Sequence, residues 1–83
     1  MDFRVYVMIE MPVIDKKCEL FVPIDRRIYE LINVLKSKIP ELREGYYESN
    51  EVNLYNKTTG NLYDLNEIIK NSDIKVGTRL ILV

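Results

Sequence analysis

Eighty-three residues carry 12 Lys and Arg against 13 Asp and Glu, with 47% hydrophobic residues, one Cys and no His or Trp. A chain this short buries only about 60% of the surface its unfolded form exposes, so residues 1–83 read as a single domain around one core. The net charge of −1 gives no field for a phosphate backbone, which argues against nucleic acid; the absence of His removes His-dependent triads and the commonest zinc ligand, and the lone Cys18 closes neither an intrachain disulfide nor a redox pair.

The first predicted strand starts at Phe3, where Phe3, Val5, Val7 and Ile9 alternate with Arg4, Tyr6, Met8 and Glu10, the period of two that gives a strand one apolar face. Residues 11–16 interrupt it, because Pro12 cannot donate to a central ladder and Asp15 suits a turn. Cys18, Leu20 and Val22 then alternate with Lys17, Glu19 and Phe21 up to Pro23, which makes the two strands a hairpin. Asp25 has the chemistry of an N-cap, and Ile28, Leu31, Ile32 and Leu35 follow at helical spacing, predicting a helix over 26–38. Ile24 and Tyr29 occupy the positions of a hydrophobic staple, and Ile28 stands where the Glu or Gln of a capping box would reach back. Lys36 and Lys38 complement the helix dipole, and Pro40 ends the helix.

Residues 40–50 read as a polar connecting loop apart from Leu42 and the Tyr46-Tyr47 pair, with Gly45 free to take a positive φ. Val52 and Leu54 alternate with Asn53 and Tyr55 as a third strand, residues 56–60 turn, and residues 61–63 pair briefly as a fourth. Residues 64–69 fit a short helical turn, with Asp64 and Asn66 as side-chain caps. Residues 75–77 bend tightly, and Thr78 to Val83 alternates as the last strand. Asp2 and Arg4 break the order of charges in a signal peptide, and no apolar run approaches about 18 residues. The chain is therefore expected to be cytoplasmic and not inserted in a membrane.

Two hairpin strands, one amphipathic helix and further strands bury their apolar faces together only if the helix crosses one face of a single sheet. That is the α+β β-grasp, or ubiquitin-like, fold: a mixed sheet of four to five strands, one main helix on one face and a short helical turn before the last strand. The expected strand order is second, first, last, third, with the first and last parallel at the centre and Phe3, Val5, Val7, Leu80 and Leu82 turned to the helix. The ending from Ser72 to Val83, with its Ile, its Gly turn and its Leu80-Ile81-Leu82, looks like the ending common to ubiquitin-like domains.

Within that superfamily, Arg43-Glu44-Gly45 before the Tyr46-Tyr47 pair, Asn56-Lys57 at the end of the third strand, and the Gly77-Thr78-Arg79-Leu80 entry to the last strand resemble the YukD/EsaB proteins. These small bacterial proteins are encoded with the type VII (ESX-like) secretion systems of Gram-positive bacteria. The resemblance implies a cytosolic accessory protein that binds components or regulators of a secretion machine, without catalysis and without conjugation. A conjugated modifier or sulfur carrier needs a Gly-Gly tail, whereas this sequence stops at Leu82-Val83. A ferredoxin on the same scaffold needs four cysteines. No enzyme activity, cofactor or metal is expected, and the other reading that stays open is a small ubiquitin-like subunit or regulator of an unrelated enzyme or multiprotein complex.

Cys18 faces the helix and reads as a buried small hydrophobe. The pairs Glu41/Glu44 and Glu48/Glu51 read as solvated carboxylates. Arg26 and Arg27 oppose the dipole at the helix start, consistent with an exposed position or with an acidic partner. The alternation leaves Tyr6, Met8, Phe21, Tyr55, Ile81 and Val83, with Asn53, on the sheet face away from the helix. One helix cannot cover that face, so these residues are the expected protein-binding surface, for a partner or for a second copy, with Arg4, Lys17, Glu19 and Arg79 as a polar rim.

Overall fold

The computed structural model describes residues 3–42 and 53–83. Four strands form one sheet: β1 (Arg4–Met11), β2 (Lys16–Pro23), β3 (Leu54–Asn56) and β4 (Thr78–Leu82), in the order β2-β1-β4-β3. β1 pairs antiparallel with β2 from Arg4↔Pro23 to Met11↔Lys16, and parallel with β4 from Val7↔Thr78 to Glu10↔Ile81. β3 closes the other side of β4 antiparallel through Leu54↔Leu82 and Tyr55↔Ile81. The expected order and the parallel central pair are both present. The short fourth strand is reduced to one bridge, Tyr55↔Leu62.

Helix α1 (Ile28–Lys38) buries Ile28, Leu31, Ile32 and Leu35 against Val7, Ile9, Met11, Leu20, Val22, Leu54, Leu80 and Leu82. The core is thus the helix stripe meeting the even face of β2, β3 and β4 and the odd face of β1, as the two periodicities require. Met11, expected in the turn, is the last residue of β1 and fully buried, because its parity continues that of Val7 and Ile9. The turn is a tight 3-10 segment, Pro12–Ile14, closed by Asp15 at φ 51°. Phe3 departs from its expected inward place and is 63% exposed. β4 begins opposite Val7, so among the described residues no third strand lies beside the start of β1 to carry the core that far.

The start of α1 corrects the expected cap. The helix begins at Ile28 with Arg27 in the N-cap position, and Asp25 lies outside it. The Glu30 carboxylate accepts the Arg27 N–H at 2.9 Å, the Glu half of a capping box set two residues later than expected. Of the first amides left without intrahelical partners, those of Ile28 and Tyr29 donate to the carbonyls of Glu67 and Leu65 at 3.0 and 2.9 Å. Arg27 Nη1 donates to the Asn66 carbonyl at 2.5 Å, and the amides of Ile69 and Lys70 return bonds to Arg26 and Ile24. A distant loop therefore caps the helix, which explains how two arginines stand at its positive end: one of them is a structural donor.

The segment expected to be helical over 64–69 is a turn, with Asp64 accepting the Asn66 N–H at 2.8 Å, and the short 3-10 helix follows at Ile69–Asn71. Gly77 takes φ +84°, a conformation that suits glycine, and its N–H donates to the Tyr6 carbonyl at 2.7 Å. That bond sets the register of β4 beside β1. Of the expected 40–50 loop, Pro40–Leu42 is a 3-10 turn with Leu42 buried. Gly45, the Tyr46-Tyr47 pair, Glu44, Glu48, Glu51 and Val52 lie outside the described residues.

Candidate functional site: the open face of the sheet

The face opposite α1 is built by the odd residues of β2, β3 and β4 and the even residues of β1, and the register places each one. Tyr6 stands opposite Phe21, their ring centres 5.6 Å apart and tilted by 58°, an arrangement favourable for aromatic pairs. Tyr55 stands opposite Ile81, and Val83 extends this group through reciprocal backbone bonds with Asn53 at 2.7 and 2.9 Å. Phe21 is 66% exposed and Val83 37%, while Tyr6, Met8, Tyr55 and Ile81 are half-buried.

The six apolar residues do not form one continuous patch. Met8 is flanked by Glu19 on β2 and Arg79 on β4, and Ile81 meets Glu10 of β1, which in turn faces Lys17. The charges expected at the rim, Lys17, Glu19 and Arg79, therefore run through the middle of the face. Glu10 and Lys57 join them through a 2.7 Å ion pair that ties β1 to the residue after β3. Two apolar corners result, Tyr6–Phe21 with Met8 on one side and Tyr55–Ile81–Val83 on the other. The hollow between them, about 570 Å³, is lined chiefly by Met8, Glu10, Lys17, Glu19, Lys57 and Arg79. Glu10 and Lys57 were missed as members of the face, although their parity with Met8 and with Tyr55 announces it.

Electrostatics in this hollow favour fixed charges. The Lys57 ammonium, hydrogen-bonded to Glu10, holds that carboxyl below its ordinary value. Partial burial and then the Glu19 carboxylate raise the Tyr6 phenol, which keeps it a neutral donor. Such a surface offers apolar anchors at two corners and both signs of charge between them, with the chemistry to recognise a protein surface.

The remaining candidates take structural places. Cys18 is half-buried against the core, and burial pushes its thiol up, away from the reactive thiolate. Glu41 is ion-paired with Lys16 at 2.6 Å, which lowers its carboxyl. At the β3 turn, the buried Asn56 accepts the amides of Thr58 and Thr59 at 2.9 and 3.2 Å. Beside it Tyr63, also buried, donates its hydroxyl to Asp73; burial and that carboxylate raise the phenol well above its ordinary value. Among the described residues no group of three or more His, Cys, Asp and Glu is placed to hold a metal ion, and no helix is long and apolar enough to cross a membrane.

Comparison with solved structures identifies the fold class. A ubiquitin-like domain of an Arabidopsis thaliana protein superposes with TM-score 0.74 at 12% identity, over 96% of this chain and 76% of that one. A chain from a study of molecular mimicry of SUMO in DNA repair gives 0.75 at 15% identity, over 96% and 90%. A chain of the toluene 4-monooxygenase HD complex with the inhibitor 4-bromobenzoate gives 0.77 at 9% identity, over 96% of both. The fold is ubiquitin-like, the α+β β-grasp. No family model matches the sequence, and no curated protein matches it.

Proposed function

We propose that this chain, as one domain, is a non-catalytic interaction module that docks a protein on the open face of its sheet, through Tyr6, Met8 and Phe21 at one corner and Tyr55, Ile81 and Val83 at the other. The observation that carries this reading is the uncovered face itself: aromatic and aliphatic side chains exposed around a hollow of fixed charges, on a fold whose only α-helix among the described residues lies on the opposite side. Apolar anchors supply affinity, and the Glu10, Lys17, Glu19, Lys57 and Arg79 charges select the partner by complementarity. The module works by contact, without a cofactor and without conjugation. Together with the likeness of residues 43–47, 56–57 and 77–80 to YukD/EsaB proteins, this supports a cytoplasmic accessory or regulatory component of a type VII secretion system.

A second reading, a small ubiquitin-like subunit of a multicomponent enzyme, is favoured by one observation. The monooxygenase chain matches this one along nearly the whole of both lengths. Affinity capture of the tagged protein from its own cells, read by mass spectrometry beside Tyr6→Asp and Ile81→Asp, separates the two. Secretion ATPase or membrane components retained by the wild type and lost in both variants support the first reading. An enzyme complex lost in the same way supports the second, and partners retained by both variants would remove the sheet face from either.

A further inference from the structure

The backbone edge of β2, distinct from the side chains that β2 gives to the open face, carries its own signal. β2 is an outer strand of the sheet and pairs with β1 without a bulge over its whole length. The Ile24 N–H donates to the Phe3 carbonyl at 3.0 Å. Given the β1–β2 register, the backbone groups of Val22, Leu20, Cys18 and Lys16 also turn towards β1. Those of Lys17, Glu19 and Phe21 consequently point out from an edge that pairs with no strand among the described residues. Beside that edge, between β2 and α1, runs a groove of about 360 Å³ lined by Leu20, Val22, Leu31 and Val34, with Glu30 and Lys38 along its helix side. Val34 is 43% exposed there. An open edge beside an apolar groove is the geometry of strand addition.

The geometry points to a second copy of this chain as the strand that is added, with the two β2 strands antiparallel about a two-fold axis at Leu20. In that register every outward amide finds an acceptor: Lys17 N–H meets the Pro23 carbonyl, Glu19 N–H meets Phe21, and Phe21 N–H meets Glu19 of the other copy. On the helix side Leu20 faces its twin and Cys18 faces Val22, so apolar residues meet apolar residues beside the groove. α1 runs back along β2, from Glu30 near Pro23 to Lys38 near Cys18. The axis therefore sets Lys38 of one copy on the same side as Glu30 of the other. A register centred on Glu19 would oppose two carboxylates, and one centred on Cys18 would leave the Phe21 amide beside the left-handed Asp15 turn. The Leu20-centred pairing makes one continuous sheet from two and presents the open face twice, so that a partner with two sites would bind with avidity.

Sedimentation of the purified protein across a wide concentration range, beside Glu19→Pro and Val22→Cys, tests the assignment. The wild type is expected to show a monomer–dimer equilibrium. Glu19→Pro removes an outward donor and no bond to β1, so it should keep the circular dichroism of the fold and weaken the dimer about tenfold or more. Mild oxidation should link Val22→Cys into a covalent dimer through Cys18 of the other copy, because paired residues at a non-hydrogen-bonded position lie about 4.5 Å apart between Cα atoms. The wild type should not cross-link, its two Cys18 residues being about 13 Å apart in this register. A wild type that is monomeric throughout overturns the proposal, whether or not an extended peptide of another protein takes the edge. So does a dimer untouched by Glu19→Pro or broken by Ile81→Asp, a residue of the open face and not of this edge. Failure of Val22→Cys to cross-link within a folded dimer overturns the Leu20-centred register.

Discussion

The two sides of the sheet are made by the same strands, yet they obey different rules. On the helix side Val7, Ile9, Leu80 and Leu82 are fully or almost fully buried and interlock with α1, and among the described residues no charged side chain is buried there. On the open side the next residues along the same strands, Met8, Glu10, Arg79 and Ile81, alternate apolar and charged both along and across the sheet. The contrast separates two tasks: one side holds the fold, where any loss of volume is felt, and the other is the side to which the proposed function assigns selectivity towards a partner. A wholly apolar open face would bind more strongly but would also associate without discrimination.

The sharpest break in the comparison is expected on the helix side. Leu80→Ala should lower the unfolding free energy by about 2–5 kcal/mol, the range for emptying a packed leucine site, measured by urea titration. If it costs no more than a surface change, the helix side is not the core described here. Tyr63→Phe removes the hydroxyl bond to Asp73 and should cost about 1 kcal/mol, a typical net hydrogen bond. The raised Tyr63 phenol also has a pH signature. Its contribution is complete below the ordinary value of 10.0 and is lost as pH rises through the higher folded value, so the wild type should lose its advantage over Tyr63→Phe only in strong alkali.

Glu30→Ala should cost about 0.5–1 kcal/mol through the Arg27 N–H it accepts. That modest loss is what a helix start also held by Leu65 and Glu67 carbonyls predicts. The smallest effect belongs to the open face. The lowered Glu10 carboxyl stabilises the fold above its ordinary value of 4.5, and this contribution fades as pH falls through the folded value. Lys57→Met should therefore narrow the difference in melting temperature between pH 7 and pH 3 relative to the wild type. An unchanged difference would mean that the Glu10–Lys57 pair does not hold in solution.

Much of this contrast was legible in the sequence, because alternation in 3–10, 18–22 and 78–83 assigns each strand residue to a side without any knowledge of partners. The parallel central pair came with the β-grasp fold to which the element order pointed, and the apolar parity of both strands agreed with it. The helix cap was not legible. Asp25 has the right chemistry, but Arg27 takes the position because the helix amides are met by carbonyls nearly forty residues away, a tertiary contact that no local signal carries. Phe3 failed for a related reason, since its exposure depends on where β4 begins. The division of the open face into two corners was hidden until the register set Glu19 and Arg79 on either side of Met8; parity assigns a face, whereas neighbours across strands require the ladder.

The adjacent residues Leu80 and Ile81 test the central claim most directly, since they share a strand and differ only in side. Ile81→Asp, confirmed as folded by its melting curve, should lose the partner that wild-type protein captures from its own lysate, while Leu80→Asp should fail to fold at all. An Ile81→Asp protein that folds and still captures the same partner at wild-type yield would contradict the assignment of the open face as the docking surface.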